Sequence, residues 1–212
     1  MNHDQTKILK NIHDQEVILM GHRPWRCYSG KIRCKPYIKK RAARGKDLIH
    51  GGQDPKIRMF DMGDLKGNID FDVTLGVQIL HTVLCSDGTL EATRTSCNRA
   101  LRENVGKNGF LFKVRPHPYR VFRENKLMGF AGADRISCGM RQSFGKPMGR
   151  CALLKAGQIV LECSSFIKWE PQVKRALKVA SYKFPRACRL VILHAKDEKI
   201  KKQIGLPSPD EA

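Results

Sequence analysis

The sequence predicts an α+β fold in which two helices cover one face of a mostly antiparallel sheet, with a long internal loop and a basic N-terminal extension. Two patterns lead to this expectation. Apolar residues alternate along several short segments, as in half-buried strands, and recur every three to four residues along two longer segments, as in helices. With 212 residues, 41% of them hydrophobic, the chain has apolar side chains for one core. We therefore expect one α+β core with appendages.

In the first half of the core, the sequence predicts two strands followed by a helix. Apolar side chains alternate with polar ones along residues 56–63 and 71–80. Ser86 and Asp87 are candidate N-caps for the helix, and Gly106 ends its apolar stripe. The predicted buried positions are Ile57, Met59 and Asp61 in the first strand, Phe71, Val73, Leu75, Val77 and Ile79 in the second, and Leu90, Thr93, Cys97, Ala100, Leu101 and Val105 in the helix.

The second half predicts more strands and a second helix. Residues 150–164 predict a hairpin, because Ala156 and Gly157 form a short turn between two alternating segments. Pro171 lies near the start of a helix predicted over residues 170–182, since proline is favoured in the first helical turn. The apolar stripe of this helix is Val173, Ala176, Leu177 and Ala180. The other strands are residues 110–115, 119–123 and 188–194, which gives the order β-β-α-β-β-loop-β-β-α-β.

The chain carries a large excess of positive charge, with 40 Lys and Arg against 20 Asp and Glu and a formal net charge of +20. Such an excess predicts a polyanionic partner. A membrane surface is also anionic, but no segment approaches the roughly 18 consecutive apolar residues of a spanning helix. The basic residues also do not follow a long amphipathic helix. We therefore expect a nucleic acid partner and no membrane.

Residues 21–46 concentrate this charge, with ten Lys and Arg before the first acidic residue, Asp47. Pro24 and Pro36 disfavour a continuous helix across the segment. The alternative interpretation, a solvated disordered tail, stays open. The aromatic residues of the segment, whose rings can stack on bases or riboses, are Trp25, Tyr28 and Tyr37.

Neither the cysteines nor the glycines predict a metal site or an active site. The eight cysteines include no pair at the spacing of zinc ligands, so we expect buried free thiols. Gly145 and Lys146 lack the following Ser or Thr of a phosphate-binding loop. Asp134 and His117 have no catalytic partner at a recognisable spacing. We expect no enzyme activity, no metal and no cofactor.

A glycine-rich segment that carries arginines, AGADRISCGMRQSFGKP, interrupts the core at residues 131–147. It has too few apolar side chains to fold alone. It can pass between RNA strands, however, and place Arg135, Arg141 and Lys146 against phosphates. We therefore expect a loop that contributes to function rather than to stability.

Four segments of the sequence resemble one protein family. They are MGHRPWRCY at residues 20–28, RPHPYRVFRENK at 115–126, AGADRISCGMRQSFGKPMG at 131–149 and YKFP at 182–185. In this order they are similar to the large-subunit ribosomal proteins of the archaeal and eukaryotic L-ten-e type, the counterparts of bacterial L-sixteen. The resemblance implies an α/β-hammerhead fold seated in ribosomal RNA between the central protuberance and the A-site side of the peptidyl transferase centre. It also implies that the loop reaches toward the acceptor end of P-site tRNA.

The resemblance implies a structural role in the ribosome, with parts in late subunit maturation and translation. Implied partners are large-subunit ribosomal RNA and the 5S ribosomal RNA region, P-site and A-site tRNA, neighbouring ribosomal proteins and, during assembly, a nuclear export adaptor and a maturation GTPase. The implied location is the cytoplasmic ribosome, after passage through the nucleus. The residues expected to bind RNA are Arg23, Arg26, Lys35, Tyr37, Lys39, Lys40, Arg41, Arg44, Arg115, His117, Arg120 and Arg123, and those expected in the tRNA-proximal loop are Ala131, Gly132, Asp134, Arg135, Gly139, Met140, Arg141 and Lys146.

These expectations divide the chain into a disordered extension (1–19), a basic rRNA-binding extension (20–55), a core (56–194) with its loop (126–148), and a C-terminal tail (195–212). The chain departs from the family at both ends, since the first extension precedes the first matching motif and the tail is short. Two other classes of function stay open. A free-standing basic RNA-binding regulator would carry the same charge. An RNA-modifying enzyme would need a nucleophile or a cofactor loop, which the sequence does not show.

Overall fold

The computed structural model describes residues 49–66, 69–124 and 145–209, together with the backbone of residues 37–39 and 46–48. These residues form an α+β fold whose strand pairings are all antiparallel, as the sequence predicts. In chain order the elements are β1 (Tyr37–Lys39), β2 (Lys46–Leu48), β3 (Asp61–Gly63), β4 (Val73–Ile79), β5 (Val83–Ser86), α1 (Asp87–Asn104), β6 (Phe110–Val114), β7 (Arg120–Glu124), β8 (Lys146–Leu154), β9 (Ile159–Ser165), a 3-10 turn (Ile167–Trp169), α2 (Glu170–Ser181), β10 (Cys188–Ala195) and α3 (Glu198–Ile204).

The described strands form three separate sheets, where the sequence predicts one. A five-stranded sheet has the order β10-β4-β9-β6-β3, a three-stranded sheet has the order β5-β8-β7, and β1 pairs with β2. The alternation of apolar residues identifies a strand and its buried face but not its partner strand. The division into three sheets is therefore not visible in the sequence.

The hairpin predicted over residues 150–164 is wrong. Gly157 does lie in a turn, with a φ of 80°, and the Gln158 N–H donates to the Lys155 carbonyl at 3.1 Å. The strands that this turn joins belong to different sheets, because β8 pairs with β5 and β7 while β9 pairs with β4 and β6. The turn therefore transfers the chain from one sheet to the other.

Both predicted helices are present and contact each other. α2 contacts β4, β9 and β10 of the five-stranded sheet, whereas α1 contacts β6 of that sheet and β5 and β8 of the three-stranded sheet. α1 begins at the predicted cap, where the Ser86 side chain accepts a hydrogen bond from the Thr89 N–H at 3.0 Å. None of the helices in the described ranges combines the length and the apolar composition that a bilayer crossing requires. Within the predicted stripes, the fully buried residues are Leu90, Thr93, Cys97 and Leu101 in α1 and Val173, Ala176, Leu177 and Ala180 in α2.

The main core lies between these helices and both larger sheets, since it includes Val83 and Cys85 of β5 and Ala152 and Leu154 of β8. Phe110 and Phe112 of β6 are fully buried, as are the apolar residues of β4. Full burial of one such side chain stabilises the fold by about 1.5–3 kcal/mol. A second, smaller cluster on the three-stranded sheet contains Leu84, Phe122 and Cys151. The two sheets are therefore each stabilised by buried apolar side chains.

The strand predicted over residues 56–63 is reduced to β3, and its predicted buried face is partly wrong. Directly before β3, the Phe60 carbonyl accepts a hydrogen bond from the Val114 N–H of β6, but residues 56–59 belong to no described strand. Instead, the Lys56 N–H donates to the Asp87 carboxylate at 2.9 Å, which holds this segment at the start of α1. Alternating residues are buried on one face only where the segment is a paired strand, so the alternation does not predict which residues before β3 are buried. Ile57 and Met62 are buried, whereas Met59 is 54% exposed and Asp61 is exposed.

Three strands and one helix of the described chain lie where the sequence predicts none. β5 lies between β4 and α1 and pairs with β8, and β1 and β2 pair within the basic extension. α3 lies in the predicted C-terminal tail, where Ile204 is buried and its carbonyl accepts a hydrogen bond from Lys174 Nζ of α2 at 2.9 Å. Beyond α3, the Pro207 carbonyl accepts a hydrogen bond from the Ile192 N–H of β10 at 3.1 Å. The described part of the tail is therefore packed on the core.

The N-cap of α1 gives a test of this fold. We expect Ser86→Ala to lower the free energy of unfolding by about 1 kcal/mol, because the Thr89 N–H loses its acceptor. The measurement is urea unfolding of the full chain, followed by circular dichroism. The matched control is Ser96→Ala in the same helix, where the Ser96 hydroxyl bonds to the Ala92 carbonyl and its loss is expected to change stability by less than about 0.5 kcal/mol. Equal losses in the two variants would contradict the role of the cap.

Candidate RNA interface

Residues 115–119 connect β6 to β7 and bring together several of the side chains predicted to bind RNA. The segment passes from the five-stranded sheet to the three-stranded sheet. Its two prolines are buried, while Arg115 and His117 are exposed. The start of the segment is fixed by the Arg115 N–H, which donates to the Val160 carbonyl at 3.0 Å. The prolines therefore anchor the backbone, while Arg115, His117 and Tyr119, which alternate with them, face solvent.

The His117 ring is held by a second ring. The centroids of the Phe60 and His117 rings are 3.9 Å apart, with 30° between the ring planes. The backbone of Phe60 is itself attached to β6, because its carbonyl accepts a hydrogen bond from the Val114 N–H at 2.8 Å. The exposed imidazole is therefore supported from one side and open to a partner on the other.

Tyr119, the last residue of the connection, pairs with Arg120, the first residue of β7. Tyr119 is 54% exposed, and the Arg120 guanidinium lies 5.6 Å from the centroid of its ring. Arg120 Nε also donates to the Tyr119 hydroxyl at 3.2 Å. A cation over an aromatic face is favourable, so each side chain limits the movement of the other. This pair offers one surface for stacking and one charge for a phosphate.

Arg115 is paired with an acidic residue, a contact that the sequence does not reveal. Its Nη2 lies 2.5 Å from a carboxylate oxygen of Glu162 in β9, and its side chain remains 53% exposed. The Glu162 side chain is only 19% exposed, so the pair is half-buried. The exposed part of the Arg115 side chain is nevertheless accessible to a phosphate.

The predicted loop starts and ends on neighbouring strands. Glu124 at the end of β7 pairs with Lys146 at the start of β8, so the 21 residues 125–145 leave from and return to one antiparallel ladder. Lys146 is a strand residue, which corrects its assignment to the loop. Arg123, a predicted RNA-binding residue, lies on the same ladder opposite Pro147.

The basic extension joins the core beside the base of this loop. A Cβ placed on Gly52 would lie 3.7 Å from the Pro147 Cβ. Tyr37 and Lys39 belong to β1, for which the structure describes the backbone. The remaining predicted residues lie outside the described ranges; they are Arg23, Arg26, Lys35, Lys40, Arg41 and Arg44 in the extension and Ala131, Gly132, Asp134, Arg135, Gly139, Met140 and Arg141 in the loop.

Phe60 and Glu162 belong to the interface although the sequence does not assign them to it. Both act through contacts with residues that are distant in the chain, His117 and Arg115. Phe60 lies just before β3, in the segment where the alternation is interrupted, and Glu162 is one polar position of an ordinary strand. No local pattern marks either residue as part of a site.

The described cysteines are free thiols, and most are fully buried. Burial raises the pKa of Cys97 to about 12 and the pKa of Cys188 to about 11, and it also raises the pKa of Cys85 and Cys163. A raised pKa keeps a thiol protonated and unreactive at neutral pH. Within the described residues, no three His, Cys, Asp or Glu side chains form a group suited to holding a metal ion.

Comparison with known proteins identifies the family. A sequence profile described as ribosomal protein L16p/L10e matches residues 32–191. The chain belongs to the L16p/L10e family of ribosomal proteins. It is therefore a ribosomal protein rather than an enzyme, and the resemblance inferred from its motifs is confirmed.

Three relatives named large ribosomal subunit protein uL16 illustrate the similarity. The protein of Pinus taeda is 40% identical over 174 residues, which cover 82% of this chain and 73% of that protein. The protein of Bombyx mandarina is 43% identical over 168 residues, or 78% of this chain and 73% of that protein. The protein of Dictyostelium discoideum is 41% identical over 174 residues, or 82% and 77%. Members of the family from a plant, an insect and an amoeba thus match most of this chain.

The buried thiols generate a prediction about reactivity. In native buffer at pH 8, we expect iodoacetamide to modify Cys188 roughly 100-fold more slowly than a thiol with the ordinary pKa of 9.0, because a pKa of about 11 reduces the thiolate fraction by that factor. Cys97 and Cys163 should react only after unfolding, since both are fully buried. Peptide mapping before and after addition of urea measures the three rates. Rapid native labelling of Cys97 or Cys163 would contradict their burial.

Proposed function

We propose that this protein is a structural constituent of the large ribosomal subunit that binds ribosomal RNA through its basic extension and the β6–β7 connection. The names of its relatives support the subunit, and the family supports ribosomal RNA and neighbouring ribosomal proteins as partners. The observation that carries RNA binding is the connection itself. It holds Arg115, His117, Tyr119 and Arg120 in one short segment anchored by buried prolines.

The chemistry of this segment suits RNA. Guanidinium groups bind phosphate oxygens through charged hydrogen bonds, and exposed rings stack on unpaired bases. The Tyr119 and Arg120 pair offers both kinds of contact side by side. Because the backbone is fixed by two sheets, little conformational entropy is lost when these side chains bind.

The loop over residues 125–145 extends, in this proposal, toward the acceptor end of P-site tRNA near the peptidyl transferase centre, close to the A-site tRNA. Its support is the family resemblance of its sequence and the antiparallel ladder at its base. A glycine-rich segment with Arg135 and Arg141 can follow a narrow path between RNA strands. Contacts with a nuclear export adaptor and a maturation GTPase, and passage through the nucleus, belong to the same proposal. They rest on the resemblance alone.

Charge neutralisation in the β6–β7 connection tests RNA binding. We expect Arg115→Gln combined with Arg120→Gln to reduce the log–log salt slope of binding to large-subunit ribosomal RNA by roughly 1.4–1.8, since each lost phosphate contact accounts for roughly 0.7–0.9. The matched control removes two charges from exposed turns, with Lys107→Gln and Lys155→Gln, and is expected to keep the slope.

Sucrose gradients of cell extracts at high salt complete this test. Native protein should migrate with large subunits, and the arginine variant should move in part to the top of the gradient. A native pool found wholly at the top would contradict the ribosomal function and would favour a free-standing RNA-binding regulator. Equal slopes for native protein and the arginine variant would contradict RNA contact by Arg115 and Arg120.

Shortening the loop separates its function from stability. We expect deletion of residues 131–141 to change the free energy of unfolding by about 1 kcal/mol or less, because halving a loop alters its closure entropy by only about 0.6 kcal/mol. Binding to ribosomal RNA should persist, while polysomes should decrease in cells that carry the shortened form as the sole copy. Thermal unfolding and polysome profiles measure the two effects. A large fall in melting temperature would make the loop structural, and normal polysomes would remove its functional role.

A further inference from the structure

The outer face of α2 is basic, aromatic and without acidic partners. Arg175, Lys178, Val179 and Tyr182 are spaced by three and four residues, so they form one stripe along the helix. All four are exposed, with Val179 at 47% and Tyr182 at 73%. Two further exposed cations, Lys183 and Arg186, follow in the turn after α2. We refer to these six residues as the α2 surface.

The charges of the α2 surface differ from those on the neighbouring helix. On α1, two of the three cations are paired within the helix: Arg94 lies 2.5 Å from Glu91 and Arg99 lies 2.9 Å from Glu103. Residues 171–196, in contrast, contain seven Lys and Arg and no Asp or Glu. Among the described residues, none of the four cations of the α2 surface forms an ion pair.

Two other cations of this segment have acidic partners. The half-buried Lys174 pairs with Glu170 on its own helix, and the exposed Lys196 lies 2.9 Å from a carboxylate oxygen of Asp70, which is also exposed. These pairs leave the four cations of the α2 surface without a described acidic partner. Like charges spaced by three or four residues on a helix destabilise it slightly, so the α2 surface is suited to an anionic partner.

We propose that the α2 surface is a second RNA-binding surface, which contacts the phosphate backbone of an RNA segment other than the one at the β6–β7 connection. This inference rests on the proposed function. RNA is favoured over an acidic protein because the exposed Tyr182 ring lies among the cations, and a ring beside cations serves both stacking and phosphate binding. The same combination occurs in Tyr119 and Arg120.

The two surfaces are carried by different elements of the fold. α2 contacts β4, β9 and β10, whereas the β6–β7 connection leaves from β6 and leads to the three-stranded sheet. The two contacts would therefore use different sets of cations, which can be changed independently.

The test uses the full chain and protein-free large-subunit ribosomal RNA. One variant changes Arg175, Lys178, Lys183 and Arg186 to Gln, and a matched control changes four exposed cations elsewhere, Lys66, Arg102, Lys107 and Lys155, to Gln. We expect the log–log salt slope to fall by roughly 0.7–0.9 per lost contact in the first variant and to stay unchanged in the control. Tyr182→Ala should weaken binding about tenfold, whereas Tyr182→Phe, which keeps the ring, should not.

Three outcomes overturn the inference. Equal losses of slope in the α2 variant and its control would indicate a general effect of charge. Native RNA binding by the α2 variant, with failure to enter large subunits, would indicate a protein partner. Native RNA binding and native entry into large subunits would show that the α2 surface contacts only solvent.

The variant of Arg115 and Arg120, measured on the same RNA, separates this inference from the proposed function. A reduced salt slope in that variant but not in the α2 variant overturns only the inference. An unchanged slope in both variants overturns the inference and the proposed RNA contact.

Discussion

The excess of positive over negative charge is the constraint on which the rest of this structure depends. With twice as many basic as acidic residues, the chain cannot neutralise its own cations. No Lys or Arg is buried in the described part of the chain, so the cations are distributed over its surface. Acidic residues pair with part of these cations, on α1 and at Glu162, Glu170 and Asp70, and leave an excess of positive charge. Self-repulsion destabilises the free protein, so any polyanion that binds the folded chain would also stabilise it.

The two larger sheets fix the backbone of the β6–β7 connection, which carries exposed polar and charged side chains. In the described chain, the connections after β4, β6 and β8, and the one through α1, pass between the five-stranded and three-stranded sheets. The β6–β7 connection is therefore held at both ends by hydrogen-bonded strands of different sheets. Residues 125–145 are different, because they leave and re-enter the same ladder. The β6–β7 connection is thus held between two sheets, whereas residues 125–145 are joined to one sheet at both ends.

The sequence predicted what depends on local periodicity and missed what depends on pairing. The helices and most strands follow from the spacing of apolar residues, and the cap at Ser86 follows from its residue type. The separation of β8 from β9 and the burial of Met62 rather than Met59 depend on partner strands, which alternation does not specify. The sequence does not predict α3, because this short segment is rich in Lys and has few apolar residues to show a helical spacing. In the site, residues close in the chain were found, whereas Phe60 and Glu162 reach it only through tertiary contacts.

The hydrogen bond between the Pro207 carbonyl and the Ile192 N–H has a consequence for solubility. β10 is an outer strand of the five-stranded sheet, and an uncovered outer strand is a template for pairing with another chain. The segment after α3 lies against this strand, and the Pro209 carbonyl accepts a further hydrogen bond from the Gln78 side chain at 3.4 Å. Because proline has no N–H to donate, the covering segment cannot easily extend the sheet itself. The chain thus carries its own protection against edge-to-edge aggregation at β10.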